Sequence, residues 1–135
     1  MTQRVLVVED EPNILDSLSF LMKQAGFDVR LARDGDAAIR MIESAAPDLV
    51  LLDIMLPRRD GFDVCRAIRA NPNWKDVRIV MLTAKGREPD RLKGMQLGAD
   101  DYITKPFSNR DIVERVHRIL GEGSGRVAPA GQLDG

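Results

Sequence analysis

Five short runs rich in Val, Ile and Leu, separated by longer stretches whose apolar residues recur at helical spacing, constrain this chain to alternating strands and helices. The runs lie near 4–8, 28–32, 48–53, 77–82 and 101–104. Between them Ile14, Leu18, Leu21, Met22 and Ala25 share one helical face, as do Ala38, Met41, Ile42 and Ala45, then Val64, Cys65 and Ile68. Ile112, Val116, Ile119 and Leu120 form a final stripe. Strand and helix in alternation signify βαβ units and a parallel sheet, hence an α/β fold. The first, third and fourth runs are nearly continuous in apolar residues and read as strands buried on both faces. Asp28-Val29-Arg30-Leu31-Ala32 alternates and reads as an edge. With right-handed crossovers these features fit a doubly wound five-stranded sheet in the order 2-1-3-4-5, an order already familiar for such sheets.

At 135 residues the chain has room for one domain. We expect that domain over 1–121 and a flexible tail over 122–135, where Gly, Ser, Ala and Pro replace large apolar residues. Glu11, Asp34 before Gly35, and Ser108 with Asp111 stand where helix N-termini need side-chain acceptors. A net charge of −1 gives no basic field for a nucleic-acid backbone, so direct nucleic-acid binding is not expected. Cys65 is the one cysteine and has no internal disulfide partner. No signal-peptide pattern opens the chain, and no apolar stretch approaches the ~20 residues of a membrane span, so a cytoplasmic location without membrane contact is expected.

The ends of adjacent parallel strands share one edge of the sheet, and the polar residues are concentrated there. Glu9 and Asp10 follow the first run, Asp53 ends the third, Thr83 follows the fourth and Lys105 the fifth, whereas Asp48 opens its strand. Together they offer acidic ligands for a hard cation, a carboxylate nucleophile, and a cation and hydroxyl for phosphoryl oxygens. Three carboxylates in one crevice repel one another unless a metal is present, and Mg²⁺ suits them because it takes one or two carboxylates and keeps several waters.

Val-Val-Glu-Asp-Glu-Pro at 7–12, Leu-Leu-Asp-Ile-Met-Leu-Pro at 51–57 followed by Gly61, Leu-Thr-Ala at 82–84 and Gly-Ala-Asp-Asp-Tyr-Ile-Thr-Lys-Pro-Phe at 98–107 resemble the receiver domain of two-component response regulators. That resemblance implies the flavodoxin-like receiver fold. It makes Asp53 the phospho-acceptor, with Lys105 and Thr83 assisting, and Thr83 and Tyr102 a switch pair in which the ring turns inward on phosphorylation. It implies Mg²⁺, with Mn²⁺ as an alternate, held by Asp10, Asp53 and the Met55 backbone carbonyl, with Glu9 acting through water. A cis peptide is expected before Pro106. Pro57 and Gly61 shape the loop after Asp53, with Gly61 expected in a backbone conformation that other residues resist. Ala84, small and flanked by Met55 and Lys85, implies an acyl phosphate of intermediate to long lifetime.

The expected phosphoryl source is a sensor histidine kinase, a phosphotransfer protein or a small phosphodonor, and the output a changed surface rather than turnover of an external substrate. Residues 91–108 look most like receivers of the winged-helix transcription-factor subfamily, so a fragment of a DNA-binding regulator stands beside a single-domain regulator. Arg91, Leu92, Met95, Asp101, Asp111, Val113 and Arg115 are the candidate interface, with Leu92, Met95 and Val113 as its apolar patch. A phosphorylation-dependent homodimer is one output it suits. A haloacid-dehalogenase-type hydrolase is the alternative of another class, but such enzymes carry a second acid two residues after the nucleophile, where this chain has Met55. A flavin carrier needs a phosphate loop after the first strand, where Glu9-Asp10-Glu11 repels phosphate. His117 is read as solvated, Cys65 as buried, and Trp74 as packing over a core edge.

Overall fold

The computed structural model describes residues 2–84 and 88–125, with side chains as far as 121. The elements are β1 (Arg4–Val8), α1 (Pro12–Gln24), β2 (Asp28–Ala32), α2 (Gly35–Ser44), β3 (Leu49–Asp53), α3 (Gly61–Ala70), a 3-10 turn (Pro72–Trp74), β4 (Arg78–Ala84), α4 (Glu88–Gln96), β5 (Asp101–Lys105) and α5 (Asn109–Gly125). All neighbouring strands are parallel, in the order β2-β1-β3-β4-β5. β4 and β5 run further than the apolar pattern suggested, so Thr83 and Lys105 lie within the last residues of their strands. α5 continues to Gly125, beyond the expected boundary at 121, and residues 126–135 of the expected tail lie outside the described residues.

Side-chain alternation splits the interior into two cores, one on each face of the sheet. Val5, Val7, Leu49, Leu51, Val80 and Leu82 pack against α1 and α5. Leu6, Val8, Val50, Leu52, Ile79 and Met81 pack against α2 and α3. The central strands therefore carry two buried faces, as their continuous apolar runs required. Trp74 and the buried Cys65 join the α2–α3 side. His117 is exposed, and its ring meets Phe27 at 5.0 Å between centroids. Val113 corrects an expectation: it is half-buried against the α1–α5 core, because the apolar stripe of α5 is wider than the four residues assigned to it.

Caps set where the helices begin. The Asn13 amide donates to Glu11 at 2.9 Å, Ala37 to Asp34 at 2.7 Å, Asp63 to Asp60 at 2.9 Å and Asp111 to the Ser108 hydroxyl at 2.9 Å. α4 is built differently. Gly94 is its one buried residue, lying where a β-carbon would come 2.8 Å from the Met81 sulfur and 3.6 Å from the Tyr102 ring. Lys93 adds a cation–π contact, its Nζ 4.4 Å from the centre of the Phe62 ring.

The edge of the sheet remote from the carboxylates is closed by Arg69 of α3. Its guanidinium donates to the Gly98 carbonyl at 2.8 Å, the Val77 carbonyl at 2.7 Å and the Asp100 carboxylate at 2.9 Å, while Asp100 accepts the Ile79 amide at 2.8 Å. The planar fork spreads its donors over three separate nitrogens and so spans three acceptors in a fixed geometry, whereas an ammonium must serve all its acceptors from one nitrogen. Arg69→Ala is expected to cost about 2–3 kcal/mol, and Arg69→Lys to recover less than half of it. Urea unfolding tests this: a midpoint unchanged in Arg69→Ala at constant m-value would refute the clamp.

Candidate functional site

Strand register brings the expected residues to one edge. Val8 of β1 is level with Leu52 of β3, Asp53 with Leu82 of β4, and Ala84 with Lys105 of β5. Glu9, Asp53 and Thr83 are buried there, while Asp10 is exposed. The Lys105 ammonium lies between two carboxylates, 2.9 Å from Glu9 Oε1 and 3.1 Å from Asp53 Oδ1. The Lys105–Pro106 peptide is cis. The other Glu9 oxygen accepts the Glu11 amide at 3.0 Å. The lysine as a direct partner of Glu9 was not foreseen, since nothing in residues so distant in sequence pairs them.

Burial, followed by the charge of Glu9, raises the Asp53 carboxyl from 3.8 to about 6, against the opposing charge and hydrogen bond of Lys105. Burial pulls the Lys105 ammonium down, but the Glu9 hydrogen bond and the charges of Asp53 and Glu9 outweigh it, and the net direction is up. One cation thus serves two buried anions, leaving an excess of negative charge at a crevice with Asp10 exposed at its rim. Among the described residues no three or more His, Cys, Asp or Glu side chains converge as a preformed cage. Such a donor set fits a hard divalent ion that needs few protein ligands and keeps its waters.

The loop between β3 and α3 closes over this edge. The Ile54 amide donates to the Leu82 carbonyl at 3.2 Å, and the Gly61 amide returns to the Ile54 carbonyl at 2.8 Å. Gly61 corrects an expectation as well. Positive φ among described glycines occurs at Gly26 and Gly98; at Gly61 a β-carbon would drive into the Asp53 carbonyl and come 2.7 Å from Ile54 Cα. Close backbone approach, rather than left-handed geometry, requires glycine there. Met55 is exposed on this loop, and Lys85 lies outside the described residues.

Tyr102 is 7% exposed, its ring buried beside Gly94. On the α4–β5–α5 face Leu92 and Met95 are 55% and 41% exposed. The charges expected there are paired within the chain. Arg91 meets Glu88 at 3.2 Å, and Arg115 meets Asp111 at 3.3 Å, Asp101 at 3.4 Å and the Tyr102 carbonyl at 3.2 Å. A polar hollow of about 610 Å³ lies among these groups, and a more apolar groove of about 470 Å³ runs beside Lys105 past Ile14, Ala84 and Phe107.

Comparison with known proteins agrees with this geometry. Residues 5–117 match the family model of the response regulator receiver domain. A structure assigned as a response regulator from Chloroflexus aurantiacus J-10-fl is similar over 90% of this chain and 99% of its own, at 35% identity and a TM-score of 0.86. The receiver domain of the sensor histidine kinase PA1611 from Pseudomonas aeruginosa PAO1, described with a magnesium ion coordinated in its active site cleft, matches at 35% identity and a TM-score of 0.82, with 90% and 99% coverage. NtrX from Brucella abortus matches over 92% of this chain at 31% identity and a TM-score of 0.85, and there the chain spans 28% of the longer protein. A doubly wound sheet with an acidic pair, a buried aspartate, a threonine and a lysine at the ends of its strands, matched by the family model over most of its length, is a receiver domain, and this chain belongs to the response regulator receiver family of two-component systems.

Proposed function

We propose that this receiver accepts a phosphoryl group on Asp53 from a sensor histidine kinase, a phosphotransfer protein or a small phosphodonor, and signals by a change of surface rather than by turnover. The observation that carries this is the buried Asp53 carboxylate held at 3.1 Å by Lys105. An Asp53 oxygen attacks phosphorus, the bond to the donor's nitrogen or oxygen breaks, and the leaving group departs with its electron pair. Lys105 balances charge on the phosphoryl oxygens, and the Thr83 hydroxyl donates to one of them. Asp10, Asp53 and the Met55 carbonyl would hold Mg²⁺, or Mn²⁺, with Glu9 acting through water. That ion supplies charge neutralisation of the transferring group.

The new charge of about −1.5 to −2 acts on Thr83. Because the Tyr102 ring is buried beside Gly94, we take the coupling to run from Thr83 through a turn of that ring to the seating of α4, and so to Leu92, Met95, Asp101, Asp111 and Arg115. Dimerisation on this face would require Arg115 to exchange its internal partners for those of a second copy. The likeness of residues 91–108 to winged-helix transcription-factor receivers supports an output of this kind. A domain over 1–121 and a cytoplasmic site belong to the same proposal. Among the described residues no helix is long and apolar enough to cross a membrane.

Acetyl phosphate with Mg²⁺ is expected to add one phosphoryl group, read by intact mass, and Asp53→Asn or EDTA to abolish the addition; modification that persists in either refutes the assignment. The raised Asp53 pKa also predicts a pH effect on the metal-free protein. Between the unfolded value near 3.8 and the folded value of about 6 the native state binds more protons, so stability falls as pH rises through that window. Asp53→Asn removes the loss, worth at most about 3 kcal/mol, and raises the thermal midpoint at pH 7. Equal midpoints at pH 7, or no flattening between pH 4 and 6, would contradict this. A phosphoryl mimic with Mg²⁺ is expected to shift sedimentation toward a dimer, and Arg115→Glu to reduce the shift. An unchanged mass up to roughly hundreds of micromolar, the range expected of weak contacts, excludes the dimer.

A further inference from the structure

The loop after Asp53 is tied down at its far end as well as at its base. The Arg59 amide donates to the Pro57 carbonyl at 2.7 Å across Arg58, the one described non-glycine residue at positive φ, 70°. An i to i+2 hydrogen bond around a positive φ has the handedness of the rarer, strained γ-turn. The same carbonyl faces the Gly35 amide of α2 at 3.5 Å. Two ion pairs flank the contact: Asp34 with Arg58 at 3.6 Å and Asp36 with Arg59 at 3.1 Å. The backbones lie so close that a β-carbon on Gly35 would strike the Arg59 carbonyl and come 2.5 Å from Arg59 Cβ. A strained turn persists only where its surroundings hold it, and here the holder is the N-terminus of a helix that takes no part in the site.

We infer that Arg58 and Arg59, latched to Asp34 and Asp36 across Gly35, are positioning residues that hold the Met55 carbonyl in register with Asp53. The N-terminus of α2 thereby sets the affinity of the crevice for a divalent cation. This rests on the receiver reading above, through its assignment of Met55. Met55 sits in a turn of its own, the Leu56 amide donating to the Ile54 carbonyl at 3.0 Å, and only Leu56 and Pro57 separate it from the Arg58 turn, so freedom at the Arg58 turn reaches the Met55 carbonyl through a short tether. The Asp36–Arg59 pair is partly exposed, at 43% for each side chain, and pairs of that kind are weak. The expected effect is correspondingly small, roughly three- to fivefold in the dissociation constant for one pair.

The test is Mg²⁺ titration by calorimetry, with amide hydrogen exchange of residues 55–60 in the metal-free protein and thermal midpoints for every variant. Arg59→Gln is expected to weaken Mg²⁺ binding roughly three- to fivefold and speed exchange in the loop, with the midpoint within a degree or two of the parent. Arg58→Gly, which suits a positive φ, is expected to keep or raise the midpoint while also weakening Mg²⁺ binding. Asp36→Arg combined with Arg59→Asp is expected to recover affinity lost in either single variant. Unchanged affinity and exchange in Arg59→Gln, or a double swap no better than the singles, overturns the latch while leaving Asp53 chemistry intact. Absence of Mg²⁺ binding by the parent protein overturns the receiver reading of the site instead, and the latch with it.

Discussion

One ammonium shared by two buried carboxylates is the interaction on which the site depends. Lys105 lies within hydrogen-bond reach of Glu9 and Asp53 at once, and all three are drawn from water by the ends of hydrophobic strands. The arrangement is electrostatically incomplete, because a second cation of suitable size would satisfy the remaining negative charge. Incompleteness of this kind suits a switch. A divalent ion bound there would neutralise the excess negative charge and so remove the repulsion that an incoming phosphoryl group would otherwise meet. The two-sided core beneath it keeps the partners in place, since moving any one means moving a strand packed on both faces.

Much of this was legible in the residues. Continuous apolar runs mark β1, β3 and β4 because burial on both faces leaves no room for alternation, and the mixed pattern of residues 28–32 marks β2 as an edge for the complementary reason. Parallel strands then carry Glu9, Asp10, Asp53, Thr83 and Lys105 to one side without further information. Glu11, Asp34 and Ser108 announced their helices because the orphan amides of a first turn need acceptors of that size.

The remainder depends on three-dimensional approach, which local pattern does not encode. The requirement at Gly61 comes from the Asp53 carbonyl standing where a β-carbon would go, invisible to any turn rule. Val113 is half-buried because the face that α5 turns to the core shared with α1 is wider than its four-residue stripe. Arg58 carries no side-chain signal for a left-handed backbone, and Gly35 reads as a residue after a cap until the Arg59 carbonyl is seen beneath it. The proposed metal ligands likewise rest on family likeness, since among the described residues the carboxylates do not form a cage by themselves.

α4 stands apart from the other helices, and its construction has a consequence for where motion is concentrated. With Gly94 as its only buried residue and Leu92 and Met95 largely exposed, it has little hydrophobic free energy to lose on leaving the sheet. The sheet and the other helices are packed too densely to yield by small amounts, so displacement at the strand edge is relieved at the element with the lowest cost of opening. In ensemble terms, the free molecule should spend a measurable fraction of time with α4 detached or shifted. On the proposed chemistry, charge at Asp53 would act as a weight on such populations, and the looseness with which Gly94 lets this helix sit beside Tyr102 would set how far they shift.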